Sequence, residues 1–129
     1  DLHRVGGKYP DSWHFLHTRE PRSTSPGSIM PGYVWLYEQP LDRTHIEGKI
    51  MTKRRLGVPY EDGYETRAEA DLVAQATRIA DGLRQGGFEI SADREIISLI
   101  AYLQRLGTDI KGQAAATAPA VVVAGGVQP

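Results

Sequence analysis

Between residues 66 and 87 the apolar positions Leu72, Ala76, Ile79 and Leu83 recur at intervals of three and four, the spacing that lines up one stripe of an α-helix. Thr66, with Glu69 three residues on, has the form of a capping box, and Gly86 with Gly87 closes the segment. Arg67, Glu69, Asp71, Arg78, Asp81 and Arg84 fall on the wet side. A second helix is predicted from about Ser91, carrying Ile96, Ile97, Leu99, Ile100, Leu103 and Leu106 with Tyr102 among them. That stripe is too wide for a helix with one buried face, so this one packs on two sides. Gly107 is placed to take the left-handed position after its end.

Residues 41–56 form a third helical segment with a thinner stripe of Ile46, Ile50 and Met51, capped by Asp42 or by Thr44 with Glu47, and stopped by Gly57 and Pro59. Its last turn carries Lys53, Arg54 and Arg55, where cations suit the helix dipole. Residues 1–10 read as a loop punctuated by Gly6, Gly7 and Pro10. Asp11 or Ser12 then caps a short helix bearing Trp13, Phe15, Leu16 and His17, which Pro21 ends. Residues 21–40 hold Pro21, Pro26, Pro31 and Pro40 with Gly27 and Gly32, which denies them a long helix and predicts an irregular loop. Tyr33, Trp35, Leu36 and Tyr37 carry enough apolar surface to order it. After Ile110 the chain turns to Ala, Gly, Pro and Val without period, so residues 111–129 are expected to be a flexible tail. The pattern predicts an all-α fold of three to four helices with a long, ordered, aromatic-rich loop, in one domain over residues 1–110.

Composition narrows the chemistry more than the fold. With 129 residues, 40% hydrophobic, 24% charged and a net charge of −1, the chain fits one globular domain. That balance gives no surface for neutralising phosphates, so nucleic acid is not expected as a partner. The absence of cysteine excludes disulfides, thiolate metal sites, a Cys nucleophile and haem attached through thioether bonds within this sequence. No apolar run approaches the roughly 20 residues that span a bilayer. Asp1 as first residue leads us to expect the C-terminal part of a longer subunit, with a natural remnant as the other possibility.

One short stretch, SPGSIMPGYVWLY over residues 25–37, stands out for chemistry. Pro31 pushes Met30 toward an extended conformation, and Pro26 with Gly27 turns the chain just before it, so a soft thioether is presented from a stiffened backbone. Such a sulfur suits the axial position of a haem iron. Taken alone, Met30 is better read as a gap-filler under the loop. His14 and His17 stand three apart on the short helix, a spacing that suits zinc or copper only if His3 and His45 converge on them. Solvent-facing or supporting histidines are the plainer reading. Arg4, Lys8, Arg19 and Arg22, interleaved with Tyr9, Trp13 and His14, are donors of the kind that hold carboxylates, or a solvated basic edge. There is no G-x-S-x-G and no phosphate-cradling glycine loop to suggest a hydrolase or nucleotide enzyme.

Taken in order, DLHRVGGKYPDSWHFLHTREPRSTSPGSIMPGYVWLY, then LGVPY, then EIISLIAYLQRLGTDI, resembles the mono-haem cytochrome c subunit (subunit II) of cbb3-type cytochrome c oxidases. The resemblance covers residues 1–110. It implies an incomplete class I cytochrome c-like domain at the periplasmic face of the bacterial inner membrane, anchored by an N-terminal helix outside this sequence. It further implies a c-type haem that passes electrons from the diheme cytochrome c subunit, or a soluble cytochrome donor, to the oxygen-reducing, proton-pumping catalytic subunit, with this chain non-catalytic by itself. By that resemblance Met30 matches the axial methionine, and Arg4, Tyr9, Trp13 and His14 lie near the haem edge or its propionates. The family's C-x-x-C-H is absent here, so no haem is expected to be bound covalently by this chain. The competing expectation is a haem-free helical interaction or assembly module, for which residues 92–106 would resist hydrogen exchange without any partner.

Overall fold

The computed structural model describes residues 1–108. Five helices carry the fold: α1 (Asp11–Arg19), α2 (Pro21–Thr24), α3 (Ile46–Arg55), α4 (Tyr64–Gln85) and α5 (Glu95–Arg105). Two 3-10 turns, Leu2–Arg4 and Val34–Tyr37, join them, and no strand forms among the described residues. The all-α expectation holds. The tail expected at 111–129 lies outside the described residues.

α5 is the hub. Its Ile96, Ile97 and Ile100 are buried and close a core with Phe15 of α1 and Ala80 and Leu83 of α4, so the wide stripe packs against two helices as predicted. Phe15 meets Phe88 and Tyr37 at its edges, with ring centroids 5.3 and 4.9 Å away. α3 packs on α4 at the far side of the molecule and buries no residue completely, as its thin stripe and basic last turn foretold.

The helix starts differ from those read in the sequence, and the causes are local. α3 begins at Ile46 rather than 41, because Leu41 N–H is drawn to the Asp93 carbonyl (2.7 Å) and Asp42 Oδ1 accepts from both the N–H and the hydroxyl of Thr44. Side chains that satisfy nearby backbone in this way compete with helix formation. His45 then turns left-handed, at φ 63°, immediately before the helix. α4 begins at Tyr64, earlier than Thr66, after a left-handed Gly63, and the Thr66 hydroxyl donates back to the Gly63 carbonyl instead of capping. α1 has no side-chain cap. Pro10 occupies its N-cap position, while Asp11 accepts from Gln104 Nε2 at 2.6 Å. α5 starts at Glu95, whose N–H donates to Gln39 O (3.1 Å), leaving 91–94 as a turn that ties the aromatic loop to the hub. Within residues 21–40 the loop is less irregular than expected, since α2 and the Val34–Tyr37 turn both form inside it.

Gly6 and Gly7 are more than loop punctuation. Gly6 N–H donates to Leu106 O at 2.9 Å, and a Cβ built on Gly6 would lie 2.4 Å from the Gln104 carbonyl oxygen. Gln104 reaches across in return, its Oε1 accepting from Gly7 N–H and its Nε2 donating to Tyr9 O, each at 2.9 Å. The N-terminal segment is thereby bolted along the end of α5.

Candidate functional site

That bolt leaves a cleft of about 560 Å³ between the N-terminal segment, α1, the 21–40 loop and α5. Val5, Leu36, Leu99 and Leu103 give it apolar walls, and Met30, Tyr9, Trp13 and His14 all border it. Four of the five residues singled out in the sequence are therefore brought to one cavity. Arg4 is the exception: it does not line the cleft but pairs with Asp1, which does, at 3.2 Å, and packs beside Gly107, whose own φ is +79°.

Met30 reaches the cleft because residues 28–33 are laid along the end of α1. Its N–H donates to Ser28 Oγ (3.2 Å), Arg22 Nε holds Ser28 O (3.2 Å), and Tyr33 N–H donates to Thr18 O (2.8 Å). Gly32 makes the approach possible, since a Cβ there would stand 2.6 Å from the Arg19 carbonyl oxygen. Neighbouring side chains part company here: Ile29 is 98% exposed, while Met30 is half-buried against the cleft.

α1 supplies an aromatic wall. Trp13 is sandwiched between Tyr9 and His17, with centroids 4.1 and 4.5 Å apart and planes within 15° and 12° of parallel. His14 stands edge-on to Trp13 at 5.4 Å and is buried. Burial pushes its pKa below the usual 6.5; Asp11 opposes the shift and His17 adds to it. Beneath, Thr18 donates to the His14 carbonyl (2.8 Å), and its Oγ1 lies 2.7 Å from the Tyr37 hydroxyl, which donates to Phe15 O. Burial raises the Tyr37 pKa, partly offset by the bond to Thr18 and the charge of Arg19.

The histidine pair does not make a metal centre. His17 Nδ1 is engaged by Thr24 Oγ1 at 2.6 Å, and among the described residues no three His, Cys, Asp or Glu side chains come together as ligands. What the cleft offers instead is a thioether and a buried imidazole among aliphatic and aromatic walls, with Asp1, Lys8, His17 and Thr18 also lining it. Thioether sulfur presented from a fixed loop suits the axial position of an iron porphyrin. With no cysteine in the sequence, these residues fit one half of a c-type haem site.

Sequence reasoning missed Val5, Leu36, Leu99 and Leu103 as cleft residues. The excess width of the α5 stripe was their signal: Ile96, Ile97 and Ile100 fill the core, and Leu99 and Leu103 are left over for the cleft. A groove of about 650 Å³ along α3 and α4, beside Tyr60, Tyr64 and Arg78, contains none of the sequence-predicted site residues.

Comparison with known proteins agrees with the site chemistry. The family model described as cytochrome C oxidase, mono-heme subunit/FixO matches residues 1–110. No curated protein matches the chain.

Proposed function

The chain is a member of the FixO family of mono-haem cytochrome c oxidase subunits, and on that premise we propose that its cleft is the Met30 side of the haem pocket through which the oxidase receives electrons. The family places the chain in electron transfer within a cbb3-type oxidase. In the fuller reading, electrons come from the diheme subunit or a soluble cytochrome and go on to the oxygen-reducing subunit. The domain then lies at the periplasmic face, held by an anchor outside this sequence. No helix among the described residues is long and apolar enough to cross a membrane.

When bound, a c-type haem supplies one-electron chemistry, and the protein's contribution is to hold and tune it. Met30 offers sulfur as the iron ligand, which favours the ferrous state and raises the potential. The loop bonds at Ser28, Tyr33 and Thr18 fix where that sulfur stands. Leu99 and Leu103 from α5 and Leu36 from the loop keep water off the ring, and the Tyr9, Trp13, His17 stack closes the α1 side.

The observation that carries this reading is the placement of Met30 in an apolar cleft by a loop that Gly32 lets pack on α1. In the haem-bearing subunit, Met30→Ala should abolish the weak near-infrared sulfur-to-iron band and lower the midpoint potential. A band that survives the substitution assigns the ligand elsewhere.

A further inference from the structure

α3 ends in a turn that leaves two aliphatic side chains in water. Gly57, left-handed at φ 90°, sends its N–H to the Arg54 carbonyl (2.9 Å), and the Val58 N–H reaches the Lys53 carbonyl (3.0 Å). This pattern of helix-ending bonds commonly brings an apolar contact between the residue at 58 and those at 52 or 53. Here the partners on offer are Thr52 and Lys53. Val58 accordingly stays 40% exposed, with Leu56 at 79%. Pro59 beside them is exposed as well, and a Cβ on Gly57 would meet nothing within 4 Å. The turn is a small apolar knob held in shape by its own backbone. Cations stand at its base. Lys53 and Arg55 make no ion pair among the described residues, whereas Arg54 between them turns to Asp62 and Glu65. Glu61 is engaged by Arg67, and Glu47 lies in the first turn of α3, at the opposite end of the helix. Lys49, one turn back from Lys53, adds a third cation, whose charge also reaches Asp42. The net charge of −1 conceals this local excess.

We infer that this turn docks on an anionic phospholipid surface, dipping Leu56 and Val58 below the headgroups while Lys49, Lys53 and Arg55 meet the phosphates. Aliphatic tips with cations behind them match the two layers of such a surface, apolar beneath and anionic above. A protein partner fits less well. A stable interface buries about 800 Å² on each side, and two aliphatic residues on one turn present a small part of that. Each cation near an anionic surface strengthens binding about fivefold, so three cations and two aliphatic tips give a weak, reversible contact. At the membrane face proposed above, that contact sets the tilt of the domain and does not by itself retain it. The turn shares no residue with the cleft, so lipid binding and the haem reading stand or fall separately.

Sedimentation of the 129-residue chain with vesicles tests this, using phosphatidylglycerol mixed into phosphatidylcholine beside phosphatidylcholine alone. Binding to the mixed vesicles only, weakened by high salt, is expected. Lys53→Gln combined with Arg55→Gln should weaken it roughly twentyfold, and Leu56→Ser several-fold. All three positions are exposed, and unchanged circular dichroism shows that a loss is not unfolding. Because the sequence has no cysteine, a polarity-sensitive dye on Leu56→Cys reports that position alone. Its emission should move to the blue on anionic vesicles, while the same dye on Glu89→Cys, beyond the other end of α4, should not respond. Equal binding to neutral vesicles overturns the inference, as does full binding by the doubly substituted chain or an equal blue shift at both dye positions. No binding to either vesicle also overturns it, and leaves the turn to an acidic protein partner.

Discussion

The molecule has two halves built on different principles. Around α5, the N-terminal segment, α1 and the aromatic loop are held by buried side chains and by backbone bonds between residues far apart in sequence, such as Gly6 to Leu106 and Leu41 to Asp93. The α3 and α4 pair is held at its outer end by charges: Arg54 reaches Asp62 and Glu65, Arg67 reaches Glu61, and α3 buries nothing fully. The cleft belongs to the first half. A site that must hold a side chain at fixed distance from a ligand needs neighbours that cannot rearrange, and surface ion pairs do not supply that.

Breaking the first half should therefore cost far more than breaking the second. Ile100→Ala removes a fully buried side chain at the meeting point of α1, α4 and α5, and chemical denaturation should show a loss of about 3 kcal/mol. Gly6→Ala forces a methyl group into the Gln104 and Leu106 carbonyls. Because the backbone must shift, about 2 kcal/mol is expected, together with faster hydrogen exchange in residues 1–10.

Acid should sharpen the contrast without any mutation. The folded-state pKa of His14 lies below its ordinary 6.5 through burial, so around that pH the unfolded chain binds more protons than the folded one. Stability then falls as pH drops from about 7 through 6.5 toward the lowered folded value, and levels off below it. His14→Gln should flatten the slope of melting temperature against pH over that window. The smallest effect is expected from Arg54→Ala, in the second half. One partner, Asp62, is 99% exposed and the other, Glu65, 20%, so a loss under about 1 kcal/mol that shrinks further in high salt is anticipated.

Much of the framework was legible in the sequence because periodicity and punctuation are local. The α5 stripe, the α4 stripe, the Gly107 stop and the presentation of Met30 by Pro31 all follow from residues within a few positions of one another. The helix starts were not legible for the opposite reason. Thr66 and Glu69 have the composition of a capping box, but Gly63 turns the chain one residue before Tyr64, and Tyr64 stacks on Tyr60 at 5.2 Å. Asp42 and Thr44 look like caps, but Leu41 is claimed by Asp93, 52 positions away (93 − 41). Of the site, Met30, Tyr9, Trp13 and His14 were visible as residue types in a resembling order, whereas their meeting in one cleft and the departure of Arg4 from it were not.

By itself the sequence determined the helical class, the two-sided hub and a thioether presented from a stiff loop, since each depends on dihedral preference and spacing along one segment. Tertiary structure alone decided that Gly6 and Gly32 are contact glycines rather than turn glycines, that Leu99 and Leu103 face a cleft while Ile100 faces the core, and that His14 is buried with its Nε2 unpartnered among the described residues. Those outcomes depend on which distant backbone arrives within 3 Å and which face of a stripe finds a partner, and no local preference encodes either.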